Sequence, residues 1–325
     1  MIKNRLVLID AFALIHRAYH ALPPFTTKDG QSVGAVYGFT SALLAAIKNL
    51  EPEYLAVGID LPKPTKRHEE YVEYKAHRAP APDDLVVQIP AVYEVLSTFN
   101  IPVFAMEGYE GEDVIASLIS KCKSQNSKLE YIIVTGDLDI LQLIDKQTKV
   151  YSMARGVNQA ILYDGKKVKE RYGLLPNQFV DFKALKGDPS DNIPGVKGIG
   201  EKTAISLIQK FGSLENLYQK ISNDKFLISN EIPMSNAKMT KITENIKKLP
   251  EKLQTLLQEN KEQAFLSQKL SKIEKNLPID FSLSAARVRD YDYEKVKKLF
   301  NKLGFRSLIK RLPESHRENN QQTLL

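Results

Sequence analysis

Through the first half of the chain, short and wholly apolar runs alternate with stretches in which apolar residues recur every three to four positions. Leu6-Val-Leu-Ile9, Tyr54-Leu-Ala-Val57, Ile101-Pro-Val-Phe104 and Tyr131-Ile-Ile-Val134 have the length and branched character of strands buried on both faces, and Val150-Tyr151 reads as a shorter fifth. Between them, Ala35 to Leu50 sets Val36, Phe39, Leu43 and Ile47 on one helical face, and Leu85 to Phe99 and Glu112 to Lys123 read as further helices. The alternation predicts an α/β fold: a mostly parallel open sheet flanked by helices and joined by right-handed crossovers. After about residue 165 the β signal gives out, and Lys-rich helices are expected to about Arg311. The expected organisation is an α/β core over 1–175 with an arch at about 61–84, a helical region over 176–311, and a flexible polar tail over 312–325.

In an open α/β sheet the functional crevice lies beyond the carboxyl ends of the strands. Asp10, Asp60 and Asp137 follow three strand ends, and Glu110, Glu112 and Asp113 lie in the loop after a fourth and at the start of the next helix. Asp139, Asp188 and Asp191 bring the acidic positions to nine. Any one of these residues alone reads as a helix N-cap. Four strand ends delivering carboxylates to one edge read instead as a place where like charges repel until a hard cation such as Mg²⁺ neutralises them.

Charge sharpens this picture. The 325 residues hold 46 Lys+Arg against 39 Asp+Glu, a net +7, so the carboxylates stand in a basic protein. That combination suits cations acting on a polyanion such as nucleic acid, while excess Lys is also compatible with a solvated surface. At 43% hydrophobic and 26% charged, the composition is globular. The lone Cys122 falls on an apolar helix face and reads as core. No run reaches membrane-spanning length and no secretory signal is evident, so a cytoplasmic protein without membrane association is expected.

Two further stretches carry candidate chemistry. Ile193-Pro-Gly-Val-Lys-Gly-Ile-Gly200 has the form of a helix-hairpin-helix turn, expected over about 187–212. Its glycines let the backbone approach a phosphate, and the next helix N-terminus offers free N–H groups. Glu201 before Lys202-Thr203, and the lack of a leading strand, set it apart from a nucleotide-binding P-loop. Leu61 to Asp84 interleaves Lys63, Lys66, Arg67, Lys75, His77 and Arg78 with Tyr71 and Tyr74, a composition that can hold a single strand by charge and stacking. The same run also reads as a solvated helix paired through Glu69, Glu70 and Glu73. Two matches lack the context their chemistry needs: Gly30-Gln-Ser-Val-Gly34 follows no buried strand, and Arg17 stands where a zinc helix built on His16 and His20 would carry Glu.

Together these stretches make the chain resemble the 5′ nuclease (flap endonuclease) family, in particular the N-terminal 5′ to 3′ exonuclease domain of bacterial DNA polymerase I. The resemblance covers about Ile2 to Arg311. It is carried by Leu8-Ile-Asp10, Arg17-Ala-Tyr-His20, Tyr74-Lys-Ala-His-Arg78, Glu110-Gly-Glu-Asp113, Thr135-Gly-Asp-Leu-Asp139 and Gly187-Asp-Pro-Ser-Asp-Asn-Ile-Pro-Gly195. It implies a PIN-like core and two-metal hydrolysis of 5′ flaps and 5′ ends in primer removal and repair, with Mg²⁺ the expected metal and Mn²⁺ a substitute. One metal position would use Asp10, Asp60, Glu110, Glu112 and Asp113, and a second Asp137, Asp139, Asp188 and Asp191. Lys75 and Arg78 would contact the scissile phosphate, with Arg17, Arg67 and Tyr74 as further DNA contacts. Gly195, Lys197, Gly198, Gly200, Lys202 and Thr203 would grip the duplex, with K⁺ at the turn. Glu112 departs from the Asp usual in the bacterial pattern, which leaves open a structure-specific DNA-binding protein without catalysis. A monomer is expected, acting on flapped or nicked DNA, with a DNA polymerase or a sliding clamp as candidate partner. The peptide Gln321-Gln-Thr-Leu-Leu325 is the candidate clamp-binding element.

Overall fold

A computed structural model of the chain describes residues 4–125, 128–154, 156–229, 249–288 and 291–313. The polar tail beyond Pro313, with its candidate clamp-binding peptide, therefore lies outside the described residues. The chain divides into two compact units: the first takes in residues up to Val72, Arg78–Val168 and from Ile273 onward, the second Glu73–His77 and Lys169–Lys272. The expected 176–311 region thus corresponds to the second unit only as far as Lys272. Residues beyond it return to the first unit through contacts that no local periodicity announces.

The first unit is built on a six-stranded sheet in the order β3-β2-β1-β4-β5-β6. Its strands are β1 (Arg5–Asp10), β2 (Tyr54–Gly58), β3 (Val103–Phe104), β4 (Glu130–Thr135), β5 (Thr148–Ser152) and β6 (Ile161–Tyr163). All pairings are parallel except β5 with β6. The expected mostly parallel sheet is present, with β6 an added antiparallel edge. Leu6, Val7, Leu8 and Ile9 of the central β1 have no solvent exposure, as a strand covered on both faces requires. The helices α1 (Ala11–Ala21), α2 (Gly34–Leu50) and, farther on, Ile89–Thr98 and Gly111–Gln125 flank the sheet and enclose Val36, Phe39, Leu43 and Val92. Cys122 is buried among them, and burial pushes its thiol up to about 11, which leaves it an inert packing residue.

The segment 61–84, expected as a helical arch, is helical in part only. Only Lys66–Glu70 and Asp83–Val86 are helical within 61–84, with turns between. Pro62, Pro64, Pro80 and Pro82 limit where a helix can run, and Lys75 adopts a left-handed backbone at φ +54°, which ends regular structure there. Among the described residues no helix is long and apolar enough to cross a membrane.

The second unit is helical. Phe179–Lys186 packs against Lys261–Ser271, and Gly187 to Gly200 turns the chain into Glu201–Phe211. Gly195 makes that turn possible: its φ is +62°, and a Cβ there would stand 2.6 Å from the Gly187 Cα.

Candidate carboxylate site and nucleic-acid interface

The site grows from the ends of β1, β2 and β4. Asp10 closes β1 and caps α1, its Oδ1 accepting from the Ala13 N–H at 3.2 Å. Its other oxygen accepts from the Thr135 hydroxyl at 2.7 Å, and the same hydroxyl oxygen accepts from the Asp137 N–H at 2.9 Å. Thr135, wholly buried at the end of β4, thereby ties two candidate ligands together. Thr135 opens the Thr135-Gly-Asp-Leu-Asp139 stretch, in which the sequence points only to the two acidic residues. A hydroxyl at a strand end directly before Gly-Asp was the available signal.

Gly58 lets the start of Gly111–Gln125 settle on the end of β2, since a Cβ there would stand 2.8 Å from the Gly111 carbonyl. The Gly111 N–H then donates to Asp60 at 3.0 Å. Burial, followed by the charges of Asp60 and Asp137, pushes the Asp10 carboxyl up to about 7 against the lowering effect of Thr135 and Ala13. Asp10, Asp60 and Asp137 therefore form one repelling cluster, as crowded carboxylates do before a cation arrives. Asp139 adjoins it, its N–H donating to Asp137 Oδ1 at 2.9 Å.

Glu110, Glu112 and Asp113 surround a guanidinium instead. Arg67, 8% exposed, makes a bidentate pair with Asp113 at 2.7 and 2.8 Å and reaches Glu110 at 3.2 Å and Glu112 at 3.6 Å. Burial works against its charge, but the Asp113 hydrogen bonds and the attraction of Glu112, Asp113 and Glu110 hold it protonated. Asp113 also accepts from the backbone N–H groups of Glu110 at 3.0 Å and Glu274 at 2.8 Å. Arg67, expected as a nucleic-acid contact, is here buried in ion pairs, and Asp113, expected as a metal ligand, accepts from Arg67 and two backbone N–H groups. Among the described residues, no three carboxylate, imidazole or thiol groups stand as a cage for a metal ion.

In the second unit Asp188 and Asp191 lie on the turn after Phe179–Lys186. Asp188 accepts from Lys183 at 2.6 Å and from Ser190. These partners outweigh burial and hold its carboxyl at about 2. Asp191 faces the Glu73–His77 segment: Tyr74 donates to it at 3.4 Å, the Lys75 ammonium lies 3.8 Å away, and the Lys75 N–H donates to its carbonyl at 2.9 Å. Tyr74 is buried beneath Lys75, so it supports that side chain and does not offer a face for base stacking. Arg78, in the first unit, is exposed, and Arg17 is half-buried on α1. Burial, His20 and Arg78 together hold the nearby His16 below its usual range.

On the hairpin turn Lys197, Gly198, Gly200, Lys202 and Thr203 are exposed, while Val196 and Ile199 point inward. No side chain caps Glu201–Phe211, so its first N–H groups remain available to an anion. Gly195, expected among the duplex contacts, is buried, its N–H donating to Ser267 at 3.0 Å and its carbonyl accepting from Gln263 at 2.6 Å, and it shapes the turn from inside.

A mostly parallel α/β sheet with acidic strand ends, followed along the chain by a helical unit with a hairpin turn, is a resolvase-like architecture. Residues 5–173 match the family model described as 5′-3′ exonuclease, N-terminal resolvase-like domain, and residues 174–294 match 5′-3′ exonuclease, C-terminal SAM fold. The chain belongs to the 5′-3′ exonuclease family, and its function as a member is that of a 5′ nuclease, a hydrolase. It is 40% identical to a DNA polymerase I of Caldicellulosiruptor bescii over 310 residues, covering 95% of this chain and 33% of that protein. To the Bacillus subtilis DNA polymerase I it is 35% identical over 323 residues, covering 99% and 34%. The chain thus spans about a third of the length of these curated relatives. Its fold is similar to that of T5 5′-exonuclease, solved with bound divalent zinc ions: TM-score 0.61, 21% identity, 82% of this chain and 89% of that one. It is also similar to the catalytic core of Rad2 in complex with a DNA substrate: TM-score 0.57, 17% identity, 96% and 93%.

Proposed function

We propose that this chain hydrolyses DNA phosphodiesters at 5′ flaps, nicks and 5′ ends, as a structure-specific endonuclease and 5′ to 3′ exonuclease dependent on Mg²⁺, with Mn²⁺ able to replace it. The observation that carries this reading is the repelling cluster of Asp10, Asp60 and Asp137, with the Asp10 carboxyl pushed up to about 7. An all-oxygen, anionic donor set of this kind fits a hard divalent cation. The candidate ligands of the first unit are Asp10, Asp60, Glu110, Glu112, Asp113, Asp137 and Asp139, and the second unit carries its own candidate pair, Asp188 and Asp191. When bound, such ions supply an activated hydroxide and stabilise the entering and leaving oxygens of an in-line displacement.

The remaining roles follow from charge and exposure. Lys75 and Arg78 offset charge that develops on the phosphate, and Arg17 holds a neighbouring phosphate. Tyr74, packed under Lys75, keeps that ammonium in place. Lys197, Gly198, Gly200, Lys202 and Thr203 bind the duplex backbone without reading its sequence, with K⁺ at the same turn. The chain acts as a monomer, and a DNA polymerase, linked or separate, supplies the flaps and nicks in primer removal and repair.

The test is cleavage of a double-flap DNA labelled at the 5′ end and internally, with Mg²⁺ and with excess chelator. Mg²⁺-dependent release of the intact flap near the junction is expected. Tight flap binding with no cleavage in either Mg²⁺ or Mn²⁺ would overturn the catalytic reading.

A further inference from the structure

Asn192 stands in the Gly187 to Gly195 stretch between the acidic Asp191 and the apolar Ile193. It closes a tight turn: Asp188 and Ile193 exchange both backbone hydrogen bonds at 2.9 Å, and Asn192 takes a left-handed backbone at φ +57°. Asparagine is among the few residues with a side chain that enter that region readily. From this position its side-chain amide donates to the Glu73 carbonyl at 2.7 Å, across 119 residues of sequence and within one compact unit. One residue earlier, the Asp191 carbonyl accepts from the Lys75 N–H at 2.9 Å. The turn therefore grips the backbone on both sides of Tyr74. Lys75 itself sits at φ +54°, a conformation that a non-glycine residue keeps only where its surroundings over-determine it.

We propose that Asn192 is a positioning residue for Lys75. Its amide and the adjacent Asp191 carbonyl clamp the Glu73 to Lys75 backbone in the strained form that sets the direction of the Lys75 side chain. The ammonium then lies 4.9 Å from the Tyr74 ring centroid and 3.8 Å from Asp191. The proposal rests on the reading of Lys75 as a phosphate contact. Position 192 needs two properties at once: tolerance of a left-handed backbone, and a short side chain that ends in a donor. Glycine has only the first, and aspartate puts an acceptor where the donor belongs. The effect of Asn192 falls on where the cation is held, and so on cleavage rate more than on DNA affinity.

The test is single-turnover cleavage of a double-flap DNA by saturating full chain in Mg²⁺, with flap affinity in chelator and thermal melting. The proteins are wild type, Asn192→Gly, Asn192→Asp, Lys75→Ala and the double variant Asn192→Gly with Lys75→Ala. Asn192→Gly keeps the backbone conformation and should melt close to wild type, yet lose about tenfold in rate while flap affinity changes less than about twofold. Asn192→Asp sets a carboxylate oxygen against the Glu73 carbonyl and should lose at least as much, which holds the test open if the Gly variant folds poorly. Because Asn192 acts through Lys75, the two losses overlap: the double variant should cleave within about twofold of Lys75→Ala alone. Losses that multiply in the double variant, or wild-type rates in both Asn192→Gly and Asn192→Asp, would overturn the proposal. Failure of the underlying reading looks different: wild type would not cleave, or Lys75→Ala would cleave as wild type does.

Discussion

The Thr135 hydroxyl donates to Asp10 at 2.7 Å and accepts from the Asp137 N–H at 2.9 Å, so one buried oxygen holds the carboxyl ends of β1 and β4 in register. Thr135→Val preserves shape but leaves the Asp137 N–H without its partner and removes the donor that favours the charged form of Asp10. A stability loss of about 1–3 kcal/mol is expected. With it should come several-fold weaker Mn²⁺ binding in calorimetry, and Thr135→Ser should restore both. Equal metal affinity in all three proteins would show that Thr135 only packs.

Asp10 and Asp188 give opposite pH signatures in the metal-free protein. The Asp10 carboxyl rises from 3.8 to about 7 on folding, so between those values the folded state binds more protons than the unfolded one, and stability falls as pH rises. The loss is at most about 4 kcal/mol. Asp188 is held at about 2, so its contribution is present above its ordinary pKa near 4 and is lost only as pH falls toward 2. Urea unfolding in chelator should therefore show declining stability from about pH 4 to 7, and saturating Mg²⁺ should flatten that decline. A pH-independent midpoint across the window would mean that Asp10 is solvated and unstrained.

Asp188→Ala removes a proposed ligand from the second unit and releases Lys183 and Ser190 from their partner. Single-turnover cleavage should fall by several orders of magnitude while flap affinity changes only a few-fold. Unchanged single-turnover rates would remove Asp188 from the metal-binding set.

What the chain's pattern made legible, and what it hid, divide along one physical line. Strands β1, β2 and β4 announced themselves because a buried parallel strand must be apolar on both faces, and the acidic residues after them were placed by the same logic. Strand β6 did not, because Ile161-Leu-Tyr163 is three residues long and joins the sheet antiparallel at its edge. The return of Ile273 to Arg287 to the first unit was also hidden. It depends on single long-range bonds, such as the Glu274 N–H to Asp113 and the Val288 N–H to Glu53, that leave no periodic trace. Arg67 misled for a related reason. A basic residue in a basic, aromatic run reads as solvent-facing, and only the fold supplies the three carboxylates that bury it. Backbone periodicity predicted where side chains start; which charge each one meets was set by distant chain.

Gly195 and Gly200 should respond in opposite ways to the same added methyl group. At Gly195 a Cβ meets the Gly187 backbone and φ is +62°, so Gly195→Ala should cost more than about 2 kcal/mol and lower the thermal midpoint. At Gly200 φ is −88° and the space is open, so Gly200→Ala should leave the midpoint nearly unchanged and reduce only duplex affinity. Equal destabilisation by both would contradict the buried role assigned to Gly195.

Lys197 and Lys202 are exposed on either side of the uncapped start of Glu201–Phe211 and carry charge without a sequence-reading geometry. If each neutralises one phosphate, duplex binding should weaken alike on unrelated sequences when both become Ala. The slope of log affinity against log salt should then become shallower by about 2, because each lost contact releases roughly one fewer counterion. Fluorescence anisotropy over a salt series measures both quantities. Cleavage of flap substrates at saturating protein should be retained, since the turn is proposed to hold the duplex while the scissile phosphate is assigned to Lys75 and Arg78. A slope unchanged within error would move the duplex contact elsewhere in the second unit, with Lys210 and Arg171 the next cations to replace.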